Sequence, residues 1–206
     1  MSFYFFHYSN HLLLDIYPLS RAQYKKKSMP RRASYDYLNQ IIENAYKTTQ
    51  YIMKAVGVSP VGSTYYQRFH QAKVLNVFPT DLADALIDFS HVRNKAVHEN
   101  FKVNETLELY DKLIELITVG FALFELFGAF EYGINNGIPE NITYDEIVVD
   151  KKYLLMWLEP RRANTQDDET DKEHEARKAM ARSKLEAADF VPTYIIDLDL
   201  VWKHFA

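Results

Sequence analysis

The chain has 206 residues, with 24 Lys and Arg against 28 Asp and Glu, 48% apolar residues, 15% aromatics, 6 Gly and no cysteine. That length suits one core of ordinary size rather than two full domains, and the composition excludes a disordered or fibrous chain. Without cysteine there is no disulfide framework, no thiolate zinc or iron–sulfur site and no cysteine nucleophile.

Residues 1–17, MSFYFFHYSNHLLLDIY, are apolar, but no basic residue precedes the hydrophobic part and His7, Asn10, His11 and Asp15 interrupt it, so no signal peptide is expected. His7 and His11 lie four apart, a ligand spacing on a helix. Their aromatic surroundings read at least as well as a strand, where the pair would be too far apart, and no metal site is expected. Residues 21–32, RAQYKKKSMPRR, then hold six basic residues and no acid. This run is the extreme of a gradient: residues 1–104 hold 13 Lys/Arg and 7 Asp/Glu, net +6, while the remainder hold 11 and 21, net −10. The first half is therefore the one suited to a polyanion. Arg21, Lys25, Lys26, Lys27, Arg31 and Arg32 are candidate contacts to a nucleic-acid backbone, with Tyr24 to stack a base.

From Ser34, a plausible N-cap, the apolar positions Tyr35, Leu38, Ile42, Ala45, Thr49, Ile52 and Val56 recur every three or four residues and predict a long amphipathic helix over 34–56. Gly57, Pro60 and Gly62 predict a loop, and 68–78 a helix or irregular segment. Thr80 and Asp81 open a helix with Leu82, Leu86 and Phe89 on one stripe, whose next position is Arg93. A helix from about 105 to 132, capped by Asn104, is apolar on several sides, through Leu113, Leu116, Ile117, Phe121, Leu123 and Phe127 among others. The apolar stretch between Glu115 and Glu125 falls well short of the roughly 20 residues that span a bilayer. Residues 142–149 and 152–158 predict a hairpin about Asp150-Lys151, 193–201 a third strand, and 176–188 a helix, with 160–175 a charged connector.

The residues best suited to chemistry are in DFSHVRNKAVHEN, residues 88–100. Arg93 and His98 are five apart, about 140° on a continuous helix, so they converge only if the helix ends or bends near Asn94. Together, a guanidinium, an amide and an imidazole suit a phosphodiester: the first binds phosphate oxygens through a planar fork, the last exchanges a proton near neutral pH, and Asn94 orients either. Lys95 adds a charge for RNA. No metal or other cofactor is required, and the chain carries no Gly-rich phosphate loop, HExxH or G-x-S-x-G motif.

R-N-x-x-x-H, following one amphipathic helix and preceding a long apolar one, resembles the HEPN superfamily (higher eukaryote and prokaryote nucleotide-binding domains). The resemblance covers roughly residues 34–134. By chance this string would arise in roughly one 200-residue chain in a hundred. The likeness implies a mainly α fold, an up-and-down helical bundle that is usually a homodimer, with the two motifs converging on RNA. It further implies a metal-independent endoribonuclease, with Arg93 and His98 catalytic and Asn94 supporting, that leaves 2′,3′-cyclic phosphate and 5′-hydroxyl ends. In toxin members paired with minimal nucleotidyltransferases a Tyr commonly follows the His by two residues; here that position is Asn100, so regulation through that tyrosine is not expected.

The expected organisation is an N-terminal arm over 1–33, a helical bundle over 34–136 and a small mixed α/β extension over 137–206. The expected function is that of a cytoplasmic toxin or defence ribonuclease, without membrane attachment, held in check by an antitoxin or other regulatory protein. The competing expectation is a non-catalytic module of the same kind that binds nucleotide, RNA or a protein partner.

Overall fold

The computed structural model describes residues 2–98, 105–141, 144–159 and 169–206, and among these the chain is mainly helical with one two-stranded sheet. Helix α1, Phe3–His11, runs on through a π-helical turn at Leu12–Ile16, closed by the Tyr17 N–H donating to the Leu12 carbonyl at 2.8 Å. Phe5, Leu12, Leu13, Leu14 and Ile16 are buried. The strand considered about His7 and His11 is thus corrected, and within the segment expected as an N-terminal arm these residues pack into the core. The aromatic run winds as a helix because its rings find partners: Phe5 lies 5.1 Å from Phe127 and Phe6 5.5 Å from Phe124.

Helix α2, Arg21–Lys26, starts at a capping box in which the Ser20 hydroxyl accepts from the Gln23 N–H and the Gln23 side chain accepts from the Ser20 N–H. Helix α3 covers Ser28–Ala55, so Ser34 is not its cap. Instead Ser34 is buried one and a half turns in, donating to the Arg31 carbonyl at 2.8 Å and sharing a 2.5 Å hydrogen bond with the Tyr24 hydroxyl. The face predicted for 34–56 is the buried one, from Tyr35 to Ile52, with Val56 half-buried. Gly57, at φ +79°, takes the left-handed turn that ends it. Helix α4, Tyr65–Val74, has its own capping box from Thr64 and Gln67, and helix α5 covers Thr80–His98.

Helix α6, Glu105–Asp111, and helix α7, Leu113–Asn136, replace the single helix expected over 105–132, with the break at Lys112. Buried on several sides, α7 packs against α1, α3 and α5. Contrary to the expectation from Glu115 and Glu125, it is long and apolar enough by length and composition to cross a membrane; 67% of its most apolar window is buried within the protein. Gly120 of α7 faces Ser9 of α1 so closely that a Cβ would fall on the Ser9 hydroxyl.

The tail differs most from expectation. Strand β1, Glu146–Val149, pairs not with 152–158 but antiparallel with β2, Tyr194–Asp197, placing Glu146 opposite Asp197 and Val149 opposite Tyr194. Residues 151–157 form helix α8, because Asp150 accepts from the Tyr153 N–H at 2.9 Å and so caps it. Helix α9, Glu169–Glu186, covers the predicted 176–188 except its last two residues, and of the strand expected over 193–201 only 194–197 is strand, while 198–202 form helix α10. The segments 137–206 and 1–33 feed the same core as 34–136: Val149, Leu154, Leu185, Ile196 and Val201 are buried with Phe5 and Leu38.

Lys184 of α9 ties three parts of the chain. Its ammonium donates to the carbonyls of Tyr17 (2.5 Å) and Leu19 (3.0 Å) and to the Tyr110 hydroxyl (3.0 Å), and lies over the rings of Tyr17 and Tyr110. Methionine keeps the stem but removes all three donations, leaving the Leu19 carbonyl only its 2.7 Å bond from the Tyr110 hydroxyl and taking this donor from the Tyr17 carbonyl. Lys184→Met is expected to lower stability by about 1–3 kcal/mol, read as a lower urea midpoint at unchanged slope; a loss under about 0.5 kcal/mol would reduce the lysine to a surface contact.

Candidate functional site

On α5 the stripe Leu82, Leu86 and Phe89 is buried, and Arg93, the next position, is half-buried. Its guanidinium is held by neutral groups: Nε donates to Asn39 Oδ1 of α3 at 2.8 Å and Nη1 to Asn94 Oδ1 at 3.2 Å, and its carbon lies 5.1 Å from the centre of the Tyr65 ring of α4. Among the described residues no carboxylate pairs with Arg93, so its position is fixed while its charge is left uncompensated by direct contact.

The expected end or bend near Asn94 is absent: α5 stays helical through His98. Arg93 and position 98 therefore stay about 140° apart around the axis. Position 98 is instead on the face of His91 and Asn94, seven and four residues earlier. The His98 side chain, with Glu99 and Asn100, is outside the described residues.

That face borders a cavity of about 390 Å³ lined by Glu43 and Tyr46 of α3, Tyr65 and Tyr66 of α4, and His91 and Asn94 of α5, with Ser63, Thr64 and Ser90 completing the wall. Its geometry comes from the capping box at Thr64, which sets where α4 starts and thus where the two adjacent tyrosines stand. Tyr65 donates to Glu43 Oε2 at 2.6 Å, and Lys47 pairs with Glu43 Oε1 at 3.2 Å. The tyrosine's hydrogen bond, with help from Lys47 and Arg93, holds the Glu43 carboxyl below its ordinary range against the opposing effect of burial. Conversely, burial first and the bond to Glu43 second push the Tyr65 phenol up to about 12.

A phenol whose folded value is raised above the unfolded one stabilises the fold fully below the unfolded value of about 10 and loses that contribution as pH rises to about 12. Wild type should therefore lose stability more steeply than Tyr65→Phe between pH 10 and pH 12, measured as urea midpoints. Parallel curves would mean that the phenol titrates normally.

Arg68 of α4 lies behind the Tyr46 wall. It is only 2% exposed, its guanidinium sits 5.1 Å from the centre of the Tyr46 ring, and it donates to the Gly62 carbonyl at 3.0 Å; Nε and Nη1 have no hydrogen-bond partner among the described residues. Two arginines thus flank the aromatic wall, one at Tyr65 and one at Tyr46.

The basic run is elsewhere. Arg21 forms a two-pronged pair with Asp111, at 3.1 Å and 2.8 Å. Lys25, Lys26, Lys27 and Arg32 are exposed, Arg31 is half-exposed, and none of the six lines the cavity. Tyr24, expected to stack a base, is instead fully buried against Tyr110, so that role is corrected. Lys95 is exposed on α5, 4.0 Å from Glu108. The rings of His7 and His11 are 4.6 Å apart, with His11 paired to Asp15, and no group of three or more potential ligands gathers among the described residues.

Sequence reasoning found Arg93 and Asn94 but missed Asn39, Glu43, Tyr65 and Arg68. One signal was present: Asn39 and Glu43 are polar and four apart, so they share a helix face beside the apolar one.

No family model, curated protein or solved structure matches the chain.

Proposed function

We propose that the protein is a HEPN-type, metal-independent endoribonuclease that acts in the cytoplasm as a homodimer, as a toxin or defence effector. The observation that carries this reading is the build of α5. It sets position 98 on the face whose His91 and Asn94 line an aromatic cavity, while α3 and α4 hold the Arg93 guanidinium at that cavity's edge. In the reaction, the ribose 2′-oxygen attacks phosphorus, its proton passes to an imidazole, and the 5′-oxygen leaves with a proton from a second imidazole. A 2′,3′-cyclic phosphate and a 5′-hydroxyl result. One chain supplies a single His98, so two copies supply both the acid and the base. Because α5 runs straight through position 98 and leaves it about 140° from Arg93, this reading requires the Arg93 of one copy to meet the His98 of the other. Arg93 meets the charge that develops on the phosphoryl oxygens, and Lys95 with the exposed Lys25, Lys26, Lys27 and Arg32 adds backbone affinity.

The test is incubation of the purified protein with RNA in EDTA, with identification of the product ends. Wild type cuts and leaves cyclic phosphate, and His98→Ala does not. A wild type that leaves RNA whole, or a variant that cuts equally well, removes the reading. The second reading is a non-catalytic module that binds nucleotide or RNA through the same cavity. What favours it is that Nε and Nη1 of Arg93 are already engaged by Asn39 and Asn94; it expects retention of RNA without scission.

A further inference from the structure

We infer that the cavity between α3, α4 and α5 is a base-recognition subsite that takes guanine, and so gives the cleavage a preference for RNA with a guanine beside the cut phosphodiester. This rests on the ribonuclease reading for its consequence, although not for the binding itself.

Its size, about 390 Å³, is near the lower end of the roughly 300–1,000 Å³ of small-molecule sites. Three tyrosines contribute to its wall: Tyr46 and Tyr65 meet edge to face at 5.3 Å, and Tyr66 is half exposed at the rim, stacked on His70. Rings offered in this way suit the flat face of a base. Both buried sides of the wall are cationic. Arg93 sits at Tyr65 and Arg68 at Tyr46, and two nitrogens of Arg68 have no acceptor among the described residues, so two cations stand against the single carboxylate of Glu43 in the cavity wall. An anionic nucleotide answers that excess.

The choice of base comes from Glu43. A carboxylate has about four acceptor positions, and Tyr65 and Lys47 use one on each oxygen. One acceptor position therefore remains on each oxygen, open to a ligand's donors. Guanine presents two neighbouring donors on its Watson–Crick edge, N1–H and N2–H₂. Adenine, cytosine and uracil each present a single donor group there, beside acceptors that a carboxylate repels. The Oδ1 of Asn94 accepts from Arg93, and among the described residues nothing accepts from its amide N–H groups, which suit a phosphate or the guanine O6.

The experiment is calorimetric titration of the full chain with the four ribonucleoside 5′-monophosphates. These contain no internucleotide bond, so the readout is blind to cleavage. Wild type should bind GMP at least about fivefold more tightly than AMP, CMP or UMP, the lower bound for a two-pronged base contact. Glu43→Gln, which keeps the shape and can still accept from Tyr65, should bring the four to within about twofold of one another. Tyr66→Ala, an exposed rim substitution with little bearing on folding, should weaken all four alike. Equal binding of the four by wild type, no binding of any, or a GMP preference that survives Glu43→Gln overturns the inference. RNA cut in EDTA without any GMP preference would leave the ribonuclease standing and remove this subsite. A GMP preference with RNA left whole would do the opposite.

Discussion

Under the proposed ribonuclease reading, an Arg93→Ala variant is expected to cut RNA in EDTA about a hundred- to a thousandfold more slowly than wild type, the usual cost of removing one preorganised charge at a developing oxyanion. His98→Ala should lose about a hundred- to ten-thousandfold, as for a general acid–base group. The two should differ in stability. Arg93 bridges α5 to Asn39 of α3 and to the Tyr65 ring of α4, so its removal also lowers the melting temperature, whereas the loss of His98 should affect turnover far more than melting. Arg93→Lys separates charge from shape. Lysine keeps the positive charge but cannot hold two amide oxygens with a planar fork, so most of the rate should stay lost. If Arg93→Ala melts early yet cuts RNA at the wild-type rate, the arginine is a bridge between helices and nothing more.

Gly120→Ala is expected to be among the most destabilising single-carbon changes in the chain. The added methyl would overlap the hydroxyl of Ser9 and come within 3.1 Å of its Cβ, where α1 crosses α7 with both residues buried. Overpacking of such a crossing costs about 1–3 kcal/mol, or about 2–12 °C in melting temperature for a chain of this size. Ser9→Ala alone should be close to neutral, because the Ser9 hydroxyl is buried without a partner among the described residues and its removal relieves a desolvated group. Combined with Gly120→Ala it should recover most of the loss, giving a coupling energy of opposite sign to the single-site cost in a double-mutant cycle. A Gly120→Ala protein that melts with wild type would mean that the two helices simply part to make room.

What was legible in the sequence was whatever a single helix decides for itself. The buried stripe of α3 and the run Leu82, Leu86, Phe89 follow from spacing alone, because one face of each meets the core. Arg93 was legible for the same reason: a cation on an apolar stripe needs partners. Which partners was not legible, since Asn39 is 54 residues away and comes alongside only when α3 packs on α5. The same limit hid the pairing of β1 with β2, whose partners lie about 50 residues apart. Residues 151–158 failed differently. A short run of Tyr, Leu, Met and Trp fits either period, and the deciding signal was Asp150 just before it, an N-cap read as a turn. In α1 the aromatic residues face several sides at once, Phe5 inward and Phe3 and Tyr4 to solvent, so no clean stripe announces the helix.

The placement of α1 has a consequence for the order in which the protein forms. Phe5 and its neighbours lie against α7, more than a hundred residues downstream, and Lys184 clasps the backbone at Tyr17 and Leu19. On a ribosome, therefore, the earliest helix can meet α3 early but emerges long before α7, the larger part of its seat, exists. It must stay out of aggregates, alone or in a chaperone's care, until α7 clears the exit tunnel.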